Sequence, residues 1–224
     1  MRKQMQKYCL TAFLIITIFQ LFSIIINYED GRFFTKPLLM PLLIAAVFTV
    51  PSSVKKYIIV AALLFSFAGD CFLLYDYINP NFFIIGLICF LLTHILYIAY
   101  FFKIKKRNLS LFKEIPWLPY IVVAYGFALV FMLFPYLDKL TTPVIIYAIV
   151  ICSMMLASLW VYKSLSKRTA IFFVLGAGLF IASDSILAIN KFMHPFNMAS
   201  FLIMLTYCAA QYFIVKGFLQ TYKS

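Results

Sequence analysis

The sequence predicts an all-α integral membrane protein with eight transmembrane helices, and three observations support this fold class. Of its 224 residues, 65% are hydrophobic and 12% are charged, and the mean hydropathy is +1.01. A soluble domain is about 45–50% apolar and about 25% charged, so a core of this size would not hide the excess. Eight apolar segments are each close to the about 20 residues that a spanning helix needs. The loops between them alternate in basic charge, which is the third observation.

The eight segments follow one another with short connections, so we predict a single transmembrane domain over residues 1–224. They are Tyr8–Asn27, Thr35–Val50, Tyr57–Tyr77, Phe82–Phe102, Pro116–Phe134, Thr142–Tyr162, Ala170–Asn190 and Phe196–Lys216. The second begins with the letters TKP, which predicts Pro37 in the first helical turn. The first lacks a small-x-small cleavage site, so we expect a retained helix rather than a signal peptide.

The loop charges predict the orientation of the chain. Of the 19 Lys and Arg residues, four lie on one side, and these are Arg32, Lys36, Lys139 and Lys191. By the positive-inside rule the richer side is cytoplasmic, which predicts that both termini are inside. In a bacterial cell the location would be the inner, or plasma, membrane. A net charge of +12 would suggest nucleic acid in a soluble protein, but here membrane lipids are the expected partners and nucleic acid is not.

Three pairs of segments suggest an internal repeat. AGDCFLL (68–74) aligns with ASDSILA (182–188), THILYIAYFFK (93–103) with TYCAAQYFIVK (206–216), and TKPLLM (35–40) with TTPVII (141–146). Because the three matches occur in the same order, we predict two four-helix repeats, residues 8–103 and 116–216, in parallel orientation. The alternative is chance similarity among apolar strings.

Asp70 and Asp184 lie inside apolar segments, at matching positions of the repeat. A carboxylate at the centre of a spanning helix costs about 2.5–3.5 kcal/mol and usually faces a polar interior. Counted from Lys56 and Arg168 at about 1.5 Å per residue, both carboxylates lie about 20 Å into the membrane. We therefore predict that they face each other in a shared chamber as a catalytic acid–base pair. The alternatives are interhelical hydrogen bonds, pairing with Lys36 or Lys191, or a proton relay for transport.

Other polar residues in the apolar segments are further candidates. His94 is a catalytic candidate, with a hydrogen-bonded helix contact as the alternative. Lys36 and Lys191 lie at predicted external helix ends, where they either clamp a lipid phosphate or extend to the interface. Four side chains are candidate hydrogen-bonding groups for the substrate, with packing as the alternative: Tyr97, Tyr147, Tyr207 and Gln211.

The histidine spacing and the glycines of the apolar segments add two further expectations. No HxxxH or HExxH spacing occurs, so neither a metal nor a cofactor is predicted. Four glycines are expected to permit close helix approach. These are Gly69, Gly86, Gly176 and Gly178.

Several stretches resemble successive signatures of the YhhN family, which includes the animal lysoplasmalogenases. They run from Lys36 to Gln211: KPLLMPLL, LLFSFAGDCFLL, GLICFLLTHILYIAYF, GAGLFIASDSILAINKF and TYCAAQ. The resemblance implies a membrane hydrolase that cleaves the vinyl ether bond of a lysoplasmalogen, or of a related lysolipid. The products would be a fatty aldehyde and a glycerophospho-alcohol. Asp70, Asp184, His94 and Lys36 match the family's polar positions.

Hydrolysis of a vinyl ether needs a proton donor, an anion that stabilises an oxocarbenium-like cation, and a base that accepts a proton from water. Two buried carboxyl groups can supply all three. The predicted partner is thus a lysophospholipid substrate. A proton-coupled transporter or a lipid-binding membrane protein with the same aspartates is the alternative. The stretches Tyr57–Phe65 and Ala170–Leu175 have almost no polar residue, which favours the enzyme.

Overall fold

The computed structural model describes residues 2–106 and 110–222, and within these ranges it holds eight long helices and no strand. The helices are α1 Arg2–Ile25, α2 Glu29–Phe48, α3 Val54–Leu74, α4 Pro80–Ile104, α5 Leu118–Leu133, α6 Thr141–Trp160, α7 Lys167–Ala188 and α8 Ala199–Gln220. A 3₁₀ turn, Phe134–Tyr136, extends α5, and a π-helical turn, Ile189–Met193, extends α7. All eight are long and apolar enough to cross a membrane. The predicted fold class is confirmed, and the chain is a multi-pass membrane protein.

The start of α2 differs from the prediction. The helix begins at Glu29 rather than Thr35, so Pro37 and Pro41 lie inside it and Lys36 is its eighth residue, not a helix-end residue. Glu29 and Asp30 stand in the first turn, where negative charge is favoured by the helix dipole. This acidic start allows the helix to begin in a polar stretch, although each proline removes one backbone hydrogen bond.

By its internal contacts the chain divides into two compact units, residues 1–100 and 101–224, with the boundary inside α4. In the first unit α2 packs between α1 and α3. Its core includes Phe13, Leu39 and Leu63, all fully buried. The hydroxyl of Thr93 on α4 lies 3.1 Å from the carbonyl oxygen of Ala62 and 3.1 Å from the hydroxyl of Ser66, both on α3. These bonds fix α4 on α3 next to His94.

A buried lysine caps the carboxyl end of α2. The ammonium of Lys56 donates to the carbonyl oxygens of Phe48, at 3.3 Å, and Val50, at 3.0 Å. It also lies 4.7 Å from the centroid of the Phe48 ring. Lys56 therefore satisfies carbonyl groups at the end of α2 that have no partner inside the helix.

In the second unit α7 and α8 pack closely, and α7 also contacts α6. A Cβ atom at Gly176 would lie 2.5 Å from the Ile214 side chain and 3.1 Å from the Ala210 carbonyl oxygen, so glycine is required for this approach. At Gly178 nothing lies within 4 Å of such an atom. The expectation for Gly178 is therefore wrong, because no neighbouring helix approaches this half-buried residue closely enough to require a glycine.

The end of α6 has a lysine cap of its own. Lys105 donates to the carbonyl oxygen of Trp160 at 2.9 Å and lies 4.8 Å from the centroid of the Trp160 ring. Burial, and secondly the charge of Lys113, lower the pKa of Lys105. In both units, a lysine from outside the helix thus holds the carboxyl end of the helix that precedes an aspartate-bearing helix.

Candidate functional site

Asp70 forms an ion pair with Lys36 in the first unit. Asp70 lies one turn before the end of α3 and is 2% exposed, and the Lys36 side chain on α2 is 12% exposed. The distance from Lys36 Nζ to Asp70 Oδ1 is 3.6 Å. A buried charge is costly unless it is paired, so this contact explains how α3 tolerates a carboxylate. Pairing with Lys36 was one of the alternatives that the sequence left open.

Asp184 has a different partner in the second unit. Its Oδ2 accepts a hydrogen bond of 2.6 Å from the hydroxyl of Tyr147 on α6. That length falls in the range of about 2.5–2.7 Å that is typical of a hydroxyl bonded to a carboxylate. The structure thus brings together two of the predicted site residues in each unit, and in each the aspartate is contacted by the preceding helix.

A second hydrogen bond lies beside the first, between residues that the sequence did not single out. The hydroxyl groups of Tyr125 on α5 and Ser185 on α7 are 2.8 Å apart. Ser185 directly follows Asp184 in ASDSIL, and this polar neighbour was the one available signal. Nothing in the sequence of α5 distinguishes Tyr125 from the other aromatic residues of that helix.

A cavity of about 40 Å³ lies among α5, α6 and α7. Its polar side is formed by Tyr125, Tyr147, Asp184 and Ser185. The rest of its wall is apolar and consists of Gly126, Leu129, Val130, Leu133, Val144, Ala148, Ile151, Cys152, Ile181 and Ala188. The cavity is thus a mainly hydrophobic space, and Asp184 is part of its wall.

The other predicted site residues lie on α4, on α8 and beyond α7. His94 and Tyr97 on α4 are fully buried, and so is Gln211 on α8. Tyr207, one turn before Gln211, is also buried, and its ring meets that of Phe180 edge-on with centroids 5.6 Å apart. Lys191 is exposed in the π-helical turn. The roles of these residues, and the facing of Asp70 and Asp184, stay predictions.

The fold and these polar pairs define a class: a multi-pass α-helical membrane protein with a partnered aspartate in each of two units. The comparison with known families is more specific. The model of the YhhN family matches residues 31–218, so the chain belongs to the YhhN family. This confirms the resemblance seen in the sequence.

Curated relatives match at about 30% identity. "Lysoplasmalogenase TMEM86A" of Bos taurus is 31% identical over 176 residues, which cover 74% of this chain and 65% of the relative. The proteins named "Lysoplasmalogenase" of Mycobacterium bovis and Mycobacterium tuberculosis are each 30% identical over 179 residues, covering 79% of this chain and 66% of theirs. The chain therefore spans just under two thirds of the length of these relatives. No solved structure matches it.

Proposed function

We propose that this protein is a membrane-embedded hydrolase that cleaves the vinyl ether bond of a lysoplasmalogen to a fatty aldehyde and a glycerophospho-alcohol. The observation that supports this most is the similarity to proteins named lysoplasmalogenase along three quarters of the chain. The two aspartates with defined partners, Asp70 with Lys36 and Asp184 with Tyr147, support it from the side of chemistry.

The reaction consists of protonation of the vinyl ether, addition of water and breakdown of the resulting hemiacetal. A carboxyl group donates its proton to the second carbon of the alkenyl chain, and the first carbon becomes an oxocarbenium-like cation bonded to the ether oxygen. Water adds to that carbon and loses a proton to a carboxylate, which gives a hemiacetal. As the bond from this carbon to the glycerol oxygen breaks, the glycerol oxygen takes up a proton from a carboxyl group. The hemiacetal hydroxyl gives its own proton to a carboxylate, and the aldehyde leaves. One water is consumed, and the catalyst ends with the protons it began with.

We assign different roles to the two aspartates from their partners. The ion pair with Lys36 suits Asp70 to remain a carboxylate, which stabilises the cation and accepts a proton from water. The Tyr147 hydroxyl donates to Oδ2 of Asp184 and orients the group, and we assign to Asp184 the proton that is transferred. This mechanism requires both carboxyl groups to reach one substrate, within about the 10 Å that cooperating carboxyls span.

The remaining predicted site residues take supporting roles in this proposal. His94 is a further catalytic candidate beside the two aspartates. Lys191 and Lys36 are candidates for the substrate phosphate. The buried polar groups Tyr97, Tyr207 and Gln211 are candidates for hydrogen bonds to the glycerol. We further propose that both termini are cytoplasmic, since the loop charges favour this orientation.

The test is turnover of purified protein on lysolipids that differ only in the bond at the first chain position: vinyl ether, alkyl ether and ester. The vinyl ether alone should release an aldehyde. Asp70→Asn and Asp184→Asn should each lower kcat by about 10²–10⁴-fold, because the amide keeps the size but does not exchange a proton.

Asp138→Asn is the matched control. Asp138 is exposed in the 3₁₀ turn that precedes α6, and its φ of 42° suits asparagine. The activity of the Asp138→Asn protein should equal that of the unmodified protein. Near-normal turnover by a folded Asp70→Asn or Asp184→Asn protein would refute the mechanism, and release of fatty acid from the ester alone would refute the reaction.

A further inference from the structure

We infer that the cavity among α5, α6 and α7 holds the first carbons of the substrate's hydrocarbon chain, those next to the ether oxygen, while the rest of the chain leaves it towards the lipid. This inference rests on the proposed function, since it locates the substrate of that reaction. It assigns a hydrocarbon site to Ala148 and its neighbours in the cavity wall.

The position of the cavity supports this assignment. Asp184 and Tyr147 are both part of its wall, and they are bonded to each other. In vinyl ether hydrolysis the atom that takes the proton is a carbon of the chain itself, the second from the ether oxygen. If Asp184 donates that proton, the first carbons of the chain must lie against it, and the cavity is the space there.

The chemistry of the wall fits a hydrocarbon and not a headgroup. Its polar atoms are already bonded in pairs, Tyr147 with Asp184 and Tyr125 with Ser185. The other ten lining residues are apolar or glycine, and no Lys or Arg is among the described residues that line it. A phosphate would be left without a counter-ion in this space, whereas a chain of methylene groups loses nothing.

The size of the cavity limits how much of the chain it takes. Its volume of about 40 Å³ corresponds to three or four water-sized groups at about 10–15 Å³ each. A methylene group is close to a water molecule in size, so only the first few carbons fit. Tyr125 lines the cavity and is 44% exposed, and we infer that the remaining carbons leave beside it at the surface of the unit. We therefore expect the site to select against substrates with a branch near the ether bond and to accept chains of different lengths.

The experiment compares two neighbouring residues of α6. Ala148→Leu adds bulk inside the cavity, and Ala148→Val is a milder version in case leucine prevents folding. Ile149→Phe is the control, because Ile149 is 60% exposed and does not line the cavity. Folding is checked for each protein by size-exclusion chromatography and thermal unfolding.

Two measurements are made on each protein. The first is kcat/KM for lysoplasmalogens with straight chains of twelve to eighteen carbons and for one with a methyl branch at the third carbon. The second is the Kd of a saturated alkyl-ether lysolipid, which binds but is not cleaved.

In the unmodified protein the straight chains should differ by less than about threefold, and the branched substrate should be slower by about 10–200-fold, the usual effect of one methylene group in a pocket. Ala148→Leu should lower kcat/KM for all straight chains and raise the Kd of the ether lipid, each by at least about tenfold. Ile149→Phe should change neither.

The outcomes separate the inference from the proposed function. If the unmodified protein cleaves the vinyl ether and Ala148→Leu behaves like Ile149→Phe in both measurements, the cavity is not the chain site. If it cleaves straight and branched substrates equally well, the inference is also overturned. If no vinyl ether is cleaved, the proposed function fails, and the Kd values still decide whether a hydrocarbon chain occupies the cavity.

Discussion

Removing the Tyr147 hydroxyl is the most direct way to measure what the contact with Asp184 contributes. Tyr147→Phe keeps the ring and deletes only the donor of the 2.6 Å hydrogen bond. Asp184 becomes a carboxylate as it gives up its proton, and hydrogen bonds to charged groups contribute about 1.5–3 kcal/mol. At about 1.36 kcal/mol per factor of ten, loss of this bond should lower kcat by about 10- to 150-fold. KM should stay nearly constant, because the bond holds the proton donor rather than the substrate.

Tyr125→Phe makes the same chemical change in the same cavity, without a carboxylate. Its hydroxyl is 2.8 Å from that of Ser185, an ordinary length for a neutral pair. Such bonds contribute about 0.5–1.5 kcal/mol, so the loss of activity should not exceed about tenfold. Tyr125→Phe is therefore the control for Tyr147→Phe, because both variants lose one tyrosine hydroxyl from the same cavity.

The assay is steady-state aldehyde release at several pH values, together with thermal unfolding in the same detergent. The profile of the unmodified protein should be bell-shaped, since the proposed mechanism needs one carboxyl group protonated and one ionised. Tyr147→Phe should change the position of one limb, and Tyr125→Phe should leave both in place. Equal losses of kcat in the two variants, with unchanged pH profiles, would show that Tyr147 does not act through Asp184.

Two more predictions concern stability. Lys36→Ala leaves the buried Asp70 carboxylate without its ammonium partner and should destabilise the protein by about 3–5 kcal/mol, whereas Lys36→Ala combined with Asp70→Asn should recover much of the lost Tm. Failure of the double variant to recover would mean that the ion pair does not stabilise the carboxylate. Gly176→Ala should lower Tm because the new methyl group meets the Ile214 side chain, and Gly178→Ala should leave Tm unchanged or slightly raised. Equal Tm values for both glycine variants would contradict the close contact of α7 with α8.

The parts of the fold that depend on hydrophobicity could be predicted from the sequence, and those that depend on helix rotation could not. Eight apolar runs specify eight spanning helices, because a bilayer leaves few alternatives for such segments. The start of α2 at Glu29 was missed because the stretch EDGRFF is too polar to count as a span, although it is helical. Lys56 was counted with the basic loop residues. The sequence does not show that its ammonium group donates to carbonyl oxygens at the end of α2.

The candidate site shows the same division. Lys36, Asp70, Tyr147 and Asp184 were all selected as polar residues in apolar segments, but their pairing depends on which face each helix presents. The match of TKPLLM with TTPVII equates Lys36 with the second residue of α6. In the structure the contact to Asp184 comes instead from Tyr147, the seventh residue of α6, whereas Lys36 is the eighth residue of α2. The repeat stays a prediction, but the partners of the two aspartates do not occupy matched positions of this alignment.

The partners of the two aspartates have a consequence for how the chain enters the membrane. Lys36 and Asp70 belong to consecutive helices, α2 and α3, and Tyr147 and Asp184 to α6 and α7. Each helical hairpin can therefore enter the bilayer with its carboxylate already in contact with a partner. An isolated charge adds about 2.5–3.5 kcal/mol to insertion at the centre of a spanning helix, and less near a helix end, where Asp70 lies. Both contacts form between consecutive helices. The cost of burying each aspartate is therefore offset within its own unit, before the other unit is needed.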